Sequence, residues 1–165
     1  MILKPKTFNL KPLRGGFTIL EVMLVMVVGA ILAGILFSGL VGYRNRNDFT
    51  NTSSKIAALL REAQSSSFAR SSSTAWGVHF ENSTSTTPFF ALFSGTYGTS
   101  TRVGYYALPT SVAYVTSSLA SGATQEITFT QITGAASAST TVTIQMRSSG
   151  ASSTIAVASS GVVSY

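Results

Sequence analysis

Three patterns of apolar and polar positions follow one another along the chain. Residues 22–43 form an unbroken apolar run of Val, Ile, Leu, Met and Phe interspersed with Gly29, Ala30, Ala33, Gly34, Gly39 and Gly42, with no charged side chain. As a helix rising 1.5 Å per residue this run spans roughly 33 Å, enough for the roughly 30 Å hydrocarbon core of a bilayer. From Asn47 the pattern turns amphipathic. Ile56, Leu59, Leu60 and Ala63 recur at i, i+3, i+4 and i+7, while Lys55, Arg61, Glu62 and Gln64 take other faces. This predicts a helix that fades through 65–70, before Ser71-Ser72-Ser73, with its apolar stripe laid on the domain that follows.

From Thr74 onward the period is two. Trp76, Val78 and Phe80 alternate with Gly77, His79 and Glu81, the pattern of a half-buried strand. Phe89-Phe90-Ala91-Leu92-Phe93 is a second strand, 102–108 a third, and Val112-Ala113-Tyr114-Val115 a short fourth. Glu126-Ile127-Thr128-Phe129-Thr130 follows after a loop. Thr141-Val142-Thr143-Ile144-Gln145-Met146 and Thr154-Ile155-Ala156-Val157 read as a hairpin across Ser148-Ser149-Gly150, and Gly161-Val162-Val163-Ser164-Tyr165 as a last short strand. The predicted fold class is α+β: a long N-terminal transmembrane helix followed by an antiparallel β-sheet domain packed on the helix's C-terminal half.

Composition changes this picture in two ways. The net charge of +6 resides mostly ahead of the apolar run, in Lys4, Lys6, Lys11 and Arg14; the remaining seven basic residues face five acids. The leader outweighs Arg44 and Arg46 on the far side of the run, so the positive-inside tendency places the N-terminus in the cytoplasm and the C-terminal domain outside. Cysteine is absent, which excludes disulfide staples, thiol catalysis and Cys-containing metal sites.

One acid stands out. Glu21 directly precedes the apolar run, and a carboxylate within a membrane helix costs about 2–3 kcal/mol, less near the interface, so its presence asks for a function. A secretory signal peptide has a shorter apolar core with small residues at its C-terminal end. Here the small residues, Gly15-Gly16, precede the apolar run, and a plain anchor leaves Glu21 unexplained.

Gly16-Phe17-Thr18-Ile19-Leu20-Glu21 resembles the type IV prepilin signal. The resemblance implies cleavage after Gly16 by prepilin peptidase, N-methylation of Phe17, and an assembly role for Glu21 as the fifth mature residue. It also implies partnership with other pilin or pseudopilin subunits in a filament, and a single-pass subunit in the inner membrane. The divisions that follow are a leader at 1–16, a membrane and assembly helix at 17–43, its amphipathic extension at 44–73 and a β-rich domain at 74–165. Many major pilins carry a proline midway along the first helix; this chain has Ser38 there, and no proline between Pro12 and Pro88. Leu60-Arg61-Glu62-Ala63-Gln64-Ser65 with Phe68-Ala69-Arg70, and the closing strand and glycine spacing, resemble the GspH/FimT-type minor pseudopilins. A major pilin, or a membrane-anchored binding module without an assembly role, are the alternatives.

Candidate chemistry beyond that segment is sparse. His79, the single histidine, is expected to point outward from its strand. After Arg70 the charged residues are Glu81, Glu126, Arg102 and Arg147, and nothing in the sequence places the two carboxylates together for acid–base work. No phosphate-cradling loop or nucleophile motif is present, so neither a cofactor nor an enzymatic activity is expected. A domain with two bases against two acids lacks the basic surface that nucleic-acid binding requires.

Overall fold

The computed structural model describes residues 16–70 and 73–165. Residues 1–15 of the leader, with Lys4, Lys6, Lys11, Arg14 and Gly15, lie outside the described residues, as do Ser71, Ser72 and the side chain of Ser38. Helix α1 (Ile19–Phe68) is followed by eight strands: β1 (Trp76–Glu81), β2 (Phe89–Ser94), β3 (Arg102–Ala107), β4 (Val112–Tyr114), β5 (Thr124–Phe129), β6 (Thr140–Met146), β7 (Ser152–Val157) and β8 (Val163–Ser164). The chain divides into two compact units, Met1–Leu40 and Val41–Tyr165.

In the first unit the helix is apolar on every side and covered by none of the described residues. An 18-residue window reaches a mean hydropathy of 2.7 with none of it buried, long and apolar enough to cross a membrane. Thr18 caps its start: the Glu21 amide donates to Thr18 Oγ1 at 3.2 Å.

In the second unit the expected sheet is two sheets. Strands β3-β2-β1-β5 form one and β4-β6-β7-β8 the other, each four-stranded, with every named pair antiparallel. The register explains the core. Val78 lies opposite Leu92 on one side and Ile127 on the other, and Phe80 opposite Phe90, so these side chains share the inner face of the first sheet. Val142 opposite Ile155 supplies the inner face of the second. Ile56, Leu59, Leu60 and Ala63 join residues of both sheets in one buried cluster, as the amphipathic spacing predicts.

Polar contacts fix the helix on the strands. Ser67 Oγ accepts the Trp76 amide at 2.8 Å, tying the last helical turn to the start of β1. Gln64 Nε2 donates to the Gly134 carbonyl at 3.2 Å. Gly161, at φ +90°, packs so closely against that carbonyl and Gln64 that a Cβ there would collide with both. Between the sheets, Tyr114 Oη donates to the Phe89 carbonyl at 2.9 Å, and the Tyr114 ring meets Phe80 edge-on at 6.4 Å.

Candidate functional site

Gly16, Phe17 and Thr18 lie exposed just ahead of the helix, and Phe17 is 82% exposed. Glu21 sits in the first turn of α1, itself exposed, where the positive end of the helix dipole favours a carboxylate. Thr18 to Glu21 is the Ser/Thr-x-x-Glu spacing of a capping box, which the motif-based reading of Glu21 did not weigh. The carboxylate has no hydrogen bond or ion pair among the described residues. Phe17, Glu21, Val22, Val25 and Met26 line a shallow, almost wholly apolar groove along one side of this turn, of about 310 Å³. Gly29, Gly34, Gly39 and Gly42 face open space, so none of the described residues fills the gaps they leave.

Residues 11–37 match the family described as the Prokaryotic N-terminal methylation motif. The match supports a type IV pilin-like protein. That motif marks a structural subunit, implies processing by prepilin peptidase and assembly with other pilins, and with the apolar helix points to membrane anchoring. The pilin-like chain has no match among curated proteins or solved structures.

A second constellation lies on the outer face of the first sheet, opposite the core. His79 is on that face, pointing outward as its alternation with Val78 and Phe80 requires, yet it is only 3% exposed. Alternation assigns a side chain to a face and says nothing of what covers the face. Here the β2–β3 loop folds back and lays Tyr97 flat on the imidazole, with ring centroids 3.5 Å apart and planes 3° from parallel. The same loop explains why Phe93, also on the outer face, is fully buried. Its ring fills the space where Gly77 lacks a side chain and meets Tyr97 edge-on.

The structure also brings together the two acids that the sequence left apart. Glu126 lies directly across from His79 in the β1–β5 register, and its Oε1 is 3.1 Å from Nδ1. Glu81, two residues along β1 on the same face, places Oε2 3.6 Å from Nε2. Nε2 is buried and has no hydrogen-bond partner among the described residues. Burial pushes the Tyr97 phenol up from its ordinary range; Arg102 opposes this, and Glu81 and Glu126 reinforce it. Among the described residues no three His, Asp or Glu side chains converge on one metal-sized position. The sequence signal for this cluster was the glycine-bracketed Gly95-Thr96-Tyr97-Gly98, able to fold an aromatic back onto the sheet.

Proposed function

We propose that this pilin-like chain is a minor pseudopilin, of the GspH/FimT type, in a type IV pilus-like or type II secretion filament. It is cleaved after Gly16, N-methylated on Phe17, and held with its N-terminus in the cytoplasm and its β-domain outside. The observation that carries the reading is Glu21: an exposed carboxylate without a partner among the described residues, in the first turn of a helix whose apolar surface none of them covers. Buried among other helices, such a carboxylate needs a cation, and the α-amino group that cleavage creates on Phe17 of a neighbouring subunit is one. The helix glycines support the same reading. Each costs about 1 kcal/mol relative to Ala, gains no contact among the described residues, and would let a neighbouring helix approach closely. The sequence around Leu60 to Arg70 and the absence of a mid-helix proline favour a minor over a major subunit.

Mass spectrometry of the mature protein tests processing: the expected N-terminus is methylated Phe17, and an intact Met1 terminus overturns the reading. Two variants test Glu21. Both Glu21→Ala and Glu21→Gln are expected to insert into the membrane yet fail to enter filaments. Gln preserves the hydrogen-bonding residue of a capping box, so it separates charge from helix capping. Normal incorporation of Glu21→Gln refutes the charge-pairing role. Subunit abundance distinguishes the class, since a major pilin would dominate sheared surface material and a minor one would be a trace component.

A further inference from the structure

Backbone strain, apolar exposure and positive charge meet at one corner of the β-domain, where the end of α1 meets the β5–β6 loop. Ile132 stands there at φ +72°. The Thr133 amide donates across it to the Gln131 carbonyl at 2.8 Å, closing a three-residue turn. This is the rare, strained form of the γ-turn, and a β-branched residue suits it least. The core gains little from the side chain held this way, because Ile132 is 54% exposed. Strain of this kind concentrates where a ligand or partner is clamped.

The surroundings point the same way. The Ile132 amide donates to the Ser67 carbonyl at 3.4 Å, which sets the turn beside Phe68, itself 65% exposed. Arg61, Gln64, Ser65 and Phe68 recur at i, i+3, i+4 and i+7, one stripe of the helix. With Thr133 and Gly134 they line a mostly apolar groove of about 300 Å³. Gly161 packs on the Gly134 carbonyl and so brings Val162 to this corner, and the Tyr165 ring lies 5.3 Å from the Arg61 guanidinium. From Phe68 onward the described residues expose six large apolar side chains, and four of them, Phe68, Ile132, Val162 and Tyr165, gather here. Such a gathering marks an interaction surface.

Charge decides what the groove accepts. Arg61 lines it and Arg70 follows Phe68 by two residues; both are exposed, and neither has an ion pair among the described residues. Glu62 projects one helix position away from the stripe. We propose that this corner docks a segment of a different protein in which apolar side chains stand beside carboxylates. The apolar group enters the groove between Phe68 and the Ile132 turn, and the carboxylates meet Arg61 and Arg70. A second copy of this chain does not fit, because its acids are otherwise placed. Glu81 and Glu126 face His79, Asp48 accepts from Ser111 Oγ at 3.2 Å, Glu62 adjoins Arg61, and Glu21 stands in the apolar helix. Two cations are too few for the phosphate contacts on which nucleic-acid binding rests.

The test uses the full chain in lipid nanodiscs, so that no detergent competes for the groove. The probe is a short fluorescein-labelled peptide with leucine and phenylalanine set between glutamates, read by fluorescence anisotropy. Saturable binding is expected, weakening as salt rises. Arg61→Glu should weaken it about 10-fold or more by placing like charges together, and Phe68→Ser by a similar factor through loss of the aromatic contact. The peptide with lysines for its glutamates, or with serines for its apolar pair, should not bind. Ile132→Gly separates docking from folding, since glycine takes φ +72° without strain. That variant should bind about 5-fold more weakly while its melting temperature holds or rises. Absence of saturable binding, equal binding of the lysine peptide, or unchanged binding by folded Arg61→Glu and Phe68→Ser proteins overturns the proposal. Unchanged binding with a lowered melting temperature in Ile132→Gly shows that the turn serves the fold, and overturns it too. Displacement of the peptide by an equal concentration of single-stranded oligonucleotide overturns it in favour of nucleic acid.

Discussion

Tyr114 shows how one side chain couples the two sheets and gives the fold a pH limit. It is 3% exposed, and burial drives its phenol far above the ordinary tyrosine range near pH 10. A raised folded-state value means that the contribution is complete below pH 10. Above that, the unfolded chain releases the phenolic proton while the folded chain must keep it, so stability falls as pH rises. Urea midpoints should be level between pH 8 and 9.5 and then drop, and the drop should be shallower in Tyr114→Phe. That variant should also lose about 1–2 kcal/mol at neutral pH, because the Phe89 carbonyl loses its donor. An unchanged alkaline slope in the variant would remove Tyr114 as the cause. Residues differ in how much of such roles their sequence reveals. The motif that contains Glu21 was legible because it is contiguous. The His79 cluster was not, because Glu126 lies 47 positions away and reaches the ring only through a strand register, and Tyr97 only through a loop that turns back.

At the scale of elements, amphipathic spacing and alternation carried most of the information. The stripe Ile56, Leu59, Leu60 and Ala63 is buried as its spacing requires, and each expected strand is present with ends shifted by a residue or two. The division into two sheets was not legible. It depends on which strands pair, and β1 pairs with β5, skipping three strands in between. The continuous apolar run of β2 has a related cause: both of its faces are covered, the inner by the core and the outer by the Tyr97 loop. Leu60 is the strongest test of the helix as part of the core, since it is 0% exposed and belongs to the cluster that unites both sheets. Leu60→Ala should cost about 2–5 kcal/mol, the usual range for truncating a buried leucine. The urea midpoint should fall with the transition slope unchanged. A loss below 1 kcal/mol would mean that the helix face is not part of the cooperative core.

For the whole molecule, the decisive contrast is where apolar surface goes. In the second unit, side chains from the helix and both sheets share one closed cluster, and its earliest member is Ile56, with Phe49 packed at its margin. In the first unit none of the described residues covers the apolar helix surface, which is far more than a soluble monomer leaves to water, so lipid or other subunits must supply its environment. Helices in proteins draw most of their stability from such packing rather than from propensity. A chain starting at Val41 retains every buried member of the core, and its new helix end leaves only exposed amides for water to satisfy. It should therefore be soluble without detergent and unfold in one cooperative transition, within about 1 kcal/mol of the full chain's β-domain in detergent. Under the proposed assembly role of Phe17 and Glu21, it should also fail to enter filaments. If the truncated chain lacks a cooperative transition, the apolar helix is needed for folding as well as for assembly, and the separation of the two roles fails.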